Sequence, residues 1–332
     1  MNRGASAVGA LVGPARSGTT WAGTIIDSSP EVIYRFEPFH RMSAVNLEFR
    51  QWFDRLKNQE VTGENLRRIY EILLAAHPLT DKAPFFQVKS YPLRTFGRRQ
   101  IWPLARVLRG ADWVYRAAYS PPPGPPVVFK EVTFIKPLRN LLERTSMPVV
   151  YLVRHPCATV LSEVRGLSER HLRTRQRRVR ELLIEHAPWL VEQFPDVIGG
   201  SDIVSRTALL WRCEIEACVN VLRRSTTGMI MTYEQLAEDA HSRAPELFAH
   251  FGIQFAEQTK HFLDSLYELR AHGAGGPRRT GWGKKYFSIY RNPREERDSW
   301  KRRISAEDRK KIESIVQGSP AIEHCAALGH WW

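Results

Sequence analysis

Two groups of residues in this 332-residue chain have the types and spacing of an anion-handling site. The first is Gly13-Pro14-Ala15-Arg16-Ser17-Gly18-Thr19-Thr20-Trp21. It follows an apolar run, Ala7–Val12, that reads as a short buried strand. Beyond it, Trp21, Thr24, Ile25 and Ser28 share one face of an expected helix. A strand, a glycine-bearing turn and a helix start present free backbone N–H groups and the positive end of a helix dipole to an anion. The Gly13-to-Gly18 spacing is that of the nucleoside-triphosphate loop G-x-x-x-x-G-K-[ST], yet Thr19 stands where its lysine belongs. Arg16 brings a cation inside the loop instead. The expectation is a loop for an anion other than a transferable γ-phosphate, against the plainer reading of an ordinary strand-turn-helix corner.

The second group begins where the strand Met147–Val153 ends, in Arg154-His155-Pro156. A helical segment carrying Ser162 and Arg165 follows. In a magnesium-dependent loop enzyme such a strand closes on an aspartate that helps hold the ion. Here it closes on arginine. With no loop lysine, no such aspartate and an added cation, the pattern points to a metal-independent nucleotide bearing an extra phosphate.

Together these stretches resemble the sulfotransferases that use 3′-phosphoadenylyl sulfate (PAPS) and release adenosine 3′,5′-bisphosphate (PAP). Arg16-Ser17-Gly18-Thr19-Thr20-Trp21 matches the family's [RK]-S-G-T-T-W loop throughout, and Arg154 precedes Ser162 by the family's eight residues. The resemblance implies that Arg16, Ser17, Gly18, Thr19 and Thr20 hold the 5′-phosphosulfate, and that Arg154 and Ser162 hold the 3′-phosphate. It also implies an adenine contact for Tyr233, within Tyr233-Glu234-Gln235-Leu236, and a basic closing loop over the 3′-phosphate. Trp300-Lys301 matches the end of that loop; Arg278-Arg279 matches its beginning. Trp21 could stack on the same base, since a purine face against indole needs no directional partner. Either aromatic could equally be core.

Transfer to a hydroxyl needs a base within reach of its proton. The strand expected over Glu31–Phe36 is stopped by Pro38, so Glu37 falls at a strand end on the edge that carries the loop. Carbohydrate sulfotransferases have a similar F-E-P segment, and Glu37 is the expected base; the alternative is a structural carboxylate paired with Arg35 or Arg41. His40 is the reserve base or a substrate contact. In the strand Val127–Val132, the resemblance implies that Lys130 faces the transferred group, where it could neutralise charge on the leaving oxygen. Familiar cytosolic members follow that lysine with Thr-His. This chain has Glu131-Val132, which strengthens Glu37 and leaves Glu131 a weaker candidate.

The elements that must position these residues are apolar runs alternating with helical patterns. They predict an α/β fold, a central parallel sheet flanked by helices with a P-loop-like site. A hydrophobic share of 43% can fill one large domain. Its core is expected over about 6–40, 127–166, 202–236 and 278–317, with helical insertions at about 43–126 and 167–200. Within the first insertion, patterns near 43–58 and 63–76 read as helices and Pro84–Lys89 as a possible strand. Basic and aromatic residues then alternate with aliphatics from Arg98 to Arg109 and on to Trp113, Tyr115 and Tyr119. They read as a helix packed on the core with arginines in solvent, or as an interfacial helix meeting a membrane or lipid-linked acceptor.

Lys and Arg number 49 against 35 Asp and Glu, a formal charge of +14, more than one polyanionic cofactor explains. Six arginines fall within residues 170–180, a solvated helix face or an acceptor-side patch for an anionic glycan or membrane. Four cysteines have no metal spacing and read as reduced structural thiols. No apolar segment precedes the first strand and none reaches the ~18 residues of a spanning helix, so a cytoplasmic location is expected.

The sequence therefore predicts in-line sulfuryl transfer from PAPS to an acceptor hydroxyl without a metal. The arginine-type loop and the F-E-P segment favour a saccharide or glycolipid, with a lipid or small-metabolite alcohol open. A P-loop kinase conflicts with the missing lysine and the strand-end arginine. A basic nucleic-acid-binding protein would leave the Arg154–Ser162 spacing a coincidence.

Overall fold

A computed structural model describes residues 8–94, 96–108, 110–168, 178–268 and 292–331. Most of the basic run at 170–180 and all of Arg278–Lys285 lie outside the described residues. The five apolar runs become strands β1 (Val8–Gly13), β2 (Ile33–Phe36), β3 (Val127–Val132), β4 (Val149–Val153) and β5 (Gly228–Thr232). They form one sheet in the order β2-β3-β1-β4-β5, every neighbouring pair parallel. Strands covered on both faces must be apolar on both, which is why β1 and β4 are buried along their whole length.

The topology places the site. Parallel strands bring all their C-terminal ends to one edge, and β1 lies at the centre with its crossovers diverging to either side, a topological switch point. The registers pair Phe36 with Lys130, Leu11 with Lys130 and Gly13 with Val132. Glu37, Lys130, the loop after Gly13, Arg154 and Tyr233 therefore share that edge. One core cluster, with Phe39, Phe129, Tyr151 and Trp211, packs on one face of the sheet; a second, with Leu11, Ile25, Val128 and Leu152, packs on the other.

The first insertion folds against β2. Helices Leu47–Lys57 and Leu66–Leu74 form where the patterns placed them. The Pro84–Lys89 segment is not a strand. Its backbone joins no ladder; instead Lys89 Nζ donates to the carbonyls of Asp27, Ser29 and Val32 at 2.8, 2.9 and 3.1 Å. The Arg98–Arg109 pattern splits into helix Arg98–Ala105, which contains Pro103, and a turn before helix Ala111–Tyr119. Among the described residues, no helix is long and apolar enough to cross a membrane.

One buried ionic network ties this insertion to the sheet. Asp81 accepts from Arg35 Nη1 at 2.9 Å, Arg98 Nη2 at 2.5 Å and the Tyr115 hydroxyl at 2.9 Å. Arg35 also donates to the carbonyls of Leu73 and Leu74 at 2.8 and 2.7 Å. Burial raises the Asp81 carboxyl, but the charges of Arg35 and Arg98 outweigh it and hold the group below the usual carboxylate range. Replacing Asp81 with Ala leaves two guanidinium groups buried without their counter-charge. The expected loss is about 3–5 kcal/mol of unfolding free energy, read by urea denaturation.

Candidate active site

The loop after β1 depends on two glycines. A Cβ on Gly13 would lie 2.3 Å from the Leu152 carbonyl oxygen, so only glycine lets β1 run this close to β4. Gly18 has φ +93° at the start of helix Thr19–Asp27, and a Cβ there would lie 2.4 Å from the Tyr233 ring. No side chain caps this helix, so its first N–H groups remain for an anion. The Ser17 hydroxyl is buried with no hydrogen-bond partner among the described residues, a cost that an arriving anion would offset.

Arg16 lies at φ +69° and its Nε donates to Ser162 Oγ at 3.0 Å. This bond joins two motifs 146 residues apart, putting the loop and the Arg154–Ser162 helix into one site. Arg154 is 7% exposed. One of its terminal nitrogens donates to the Glu296 carbonyl at 2.9 Å, while its Nε has no hydrogen-bond partner among the described residues. Its guanidinium lies 4.4 Å from the Tyr233 ring centroid. Fixed in direction and unsatisfied at Nε, it is ready to meet a phosphate.

Tyr233 and Trp21 meet edge to face at 5.4 Å and are 4% and 7% exposed. Neither presents an open face to a base. They pack the loop against the end of β5, with Tyr233 filling the space that a side chain at Gly18 would need. Trp300 stacks on His155 at 4.2 Å and is 7% exposed, while Lys301 Nζ is 2.8 Å from Asp298 and points to solvent. Burial, followed by the charges of Lys301, Arg309 and Arg154, lowers His155 to about 3. The imidazole is thus neutral packing between Arg154 and the C-terminal helices.

On the other side of β1, Glu37 sits at the end of β2 with φ +49°. Its carboxylate bridges Lys130 Nζ at 2.6 Å and Arg41 Nε at 3.2 Å. Arg35, the other expected partner, faces Asp81 instead. Burial alone would raise the Glu37 carboxyl, but Lys130 and Arg41 bring it down to about 2.

Glu131 is fully buried and faces away from any base role. One oxygen accepts from the backbone N–H of Phe39 at 2.7 Å and of His40 at 3.3 Å; the other meets His40 Nδ1 at 2.5 Å. It holds the start of helix Pro38–Met42 and the imidazole together. Burial would lower His40, but the hydrogen bond and charge of Glu131 raise it above its ordinary value. With Nδ1 held, Nε2 is the nitrogen left to receive a proton, and the side chain is 39% exposed. Sequence gave no signal for this pairing beyond two isolated titratable residues.

No family model matches the chain, and no curated protein matches it. Solved structures do resemble it. The sulfotransferase domain from the curacin biosynthetic pathway is 13% identical, with 93% of this chain and 96% of that one covered and a TM-score of 0.45. Mouse sulfotransferase SULT7A1 complexed with PAP is 11% identical over 98% and 89%, with a TM-score of 0.46. A sulfotransferase from Alicyclobacillus acidocaldarius is 11% identical over 98% and 96%, at 0.41. Similarity at this level assigns no activity to the chain, so the chemistry rests on the residues.

Gly18→Ala tests the loop's demand for glycine. The left-handed backbone should lower the unfolding free energy by about 1–2 kcal/mol, the cost of that conformation for a residue with a Cβ, and the Tyr233 contact should add to the loss. Urea denaturation of the variant beside the wild type reads this directly.

Proposed function

We propose that this chain is a PAPS-dependent sulfotransferase. The observation that carries the reading is the Arg16–Ser162 hydrogen bond, which makes one site of two anion-binding motifs at adjacent strand ends. The loop N–H groups and Ser17 would receive the 5′-phosphosulfate; Arg154, with its unpartnered Nε, would receive the 3′-phosphate beside Ser162. Lys130, held beneath Glu37, would meet charge growing on the bridging oxygen. PAPS supplies the activated sulfuryl group.

Among the base candidates, the geometry supports His40 better than Glu37. A carboxylate already held by two cations and lowered to about 2 has little affinity for a proton. An imidazole braced on a buried carboxylate, with Nε2 available, has more. Glu37 then serves to fix Lys130.

The acceptor is proposed more broadly, as a saccharide, glycolipid or other lipid alcohol. The Phe36-Glu37-Pro38 segment supports the sugar. A lipid-linked acceptor is supported by the outer face of residues 96–116, where Phe96, Leu104, Val107 and Trp113 are 84%, 58%, 81% and 68% exposed among Arg99 and Arg106. An apolar face set in arginines fits an anionic bilayer surface. Cosedimentation with phosphatidylglycerol vesicles, but not with phosphatidylcholine vesicles, is the expected result. Equal absence from both would withdraw the membrane contact.

Calorimetry with PAP in EDTA should show binding, and Arg154→Ala should weaken it about tenfold or more, the loss of one charge-assisted contact. No PAP binding, or a preference for Mg-ATP, would overturn the sulfotransferase reading. With an acceptor identified from a panel of hydroxyl compounds, the rate should rise with pH through a His40 ionisation above the ordinary 6.5. Only the unprotonated imidazole accepts a proton. Glu131→Gln removes the charge that raises His40, so the rise should move to lower pH. His40→Ala should abolish it.

A further inference from the structure

One further cation stands at the reacting edge, and it comes from the insertion. Phe36 N–H donates to the Thr80 carbonyl at 2.7 Å, so the chain around Thr80 runs beside the end of β2. Asp81 is fixed by Arg35, Arg98 and Tyr115. The next residue, Lys82, is thereby held with its Nζ 4.0 Å from the centre of the Phe36 ring. Lys130 Nζ lies 4.7 Å from that ring and the Arg41 guanidinium 4.6 Å. Three cations thus crowd one aromatic side chain, and one carboxylate, Glu37, is shared between two of them.

Lys82 is the third. Among the described residues it makes no hydrogen bond or ion pair, and its ammonium lies over the Phe36 ring. Holding an ammonium out of water beside like charges costs free energy unless an anion arrives. Burial, then Lys130, and behind them Arg41 and Arg16, bring Lys82 down to about 7 despite the opposing pull of Glu37, so near neutral pH it is charged only in part and an arriving anion would draw it to the ammonium form.

The strand order says which anion. Arg154 and Ser162 follow β4, on one side of β1; Phe36 and Lys130 belong to β2 and β3, on the other. A nucleotide whose 3′-phosphate lies at Arg154 and whose 5′-phosphate lies on the central loop directs its sulfuryl end toward Phe36.

We propose that Lys82 is a catalytic cation that contacts the non-bridging oxygens of the sulfuryl group in transfer. The inference rests on the sulfotransferase reading. In the step, the acceptor oxygen forms a bond to sulfur as the bond from sulfur to the bridging phosphate oxygen breaks. The acceptor proton passes to His40, and the departing PAP keeps the electron pair, its charge met by Lys130. Lys82 transfers no proton; it holds the sulfuryl oxygens while sulfur changes partners.

PAP lacks the sulfuryl group and PAPS carries it, so the two separate this role from a general one. For Lys82→Met, calorimetry should show PAPS affinity down about tenfold or more, the size expected for one charge-assisted contact, with PAP affinity unchanged. Lys82→Arg should recover most of the loss. Unchanged affinity for both, or an equal fall in both, would overturn the proposal while wild-type PAP binding still upholds the broader reading. Failure of the wild-type protein to bind PAP would instead remove that reading, and this one with it.

Discussion

The controlling constraint is an excess of positive charge at one edge of a parallel sheet. Arg16, Arg41, Lys82, Lys130 and Arg154 converge there; among the described residues the carboxylates beside them include Glu37, Glu131 and Glu296, the last 4.0 Å from Arg154. Glu131 is turned inward onto helix N–H groups and His40, so it offsets little of the outward charge. Like charges held this close repel, and a flexible chain would let them separate. The site exists because the scaffold beneath it cannot relax.

That rigidity comes from buried polar locks on each flank. On the β2 side Asp81 gathers Arg35, Arg98 and Tyr115 and fixes the segment that presents Lys82. On the β4–β5 side Glu234 accepts from the His155 backbone at 3.0 Å and from Trp331 Nε1 at 2.9 Å, while Trp300 covers His155. The C-terminal helices are thereby tied to the strand end that bears Arg154. Each lock is costly if half-made and strong when complete. On the proposed reading the two flanks also divide the chemistry: one side would take a nucleotide's phosphate, the other the group it delivers and the hydroxyl that receives it.

Much of this was legible in the residues because it is local. A run such as Val149–Val153 is apolar on both faces and can only be a covered strand, and Gly13 and Gly18 bracket a turn that few other residues could make. Roles that depend on contact between distant segments were not legible. Glu131 read as a weak base because nothing in the chain reveals that it points inward. Lys89 sits in what reads as a short strand, yet its ammonium holds three carbonyls and its backbone holds none. Trp300 read as part of a closing loop, and its burial against His155 follows from helix packing.

The sequence alone therefore determined the strands, the glycine-bracketed loop with its arginine and the arginine at the second strand end, since strand periodicity, turn geometry and charge are carried by neighbouring residues. Only the tertiary structure decided which charges share a site. Arg16 meets Ser162, Arg41 and Lys130 share Glu37, and Lys82 stands beside them with no ion pair of its own among the described residues. Electrostatic roles depend on distance and on exclusion of water, and both are properties of the folded assembly rather than of any segment.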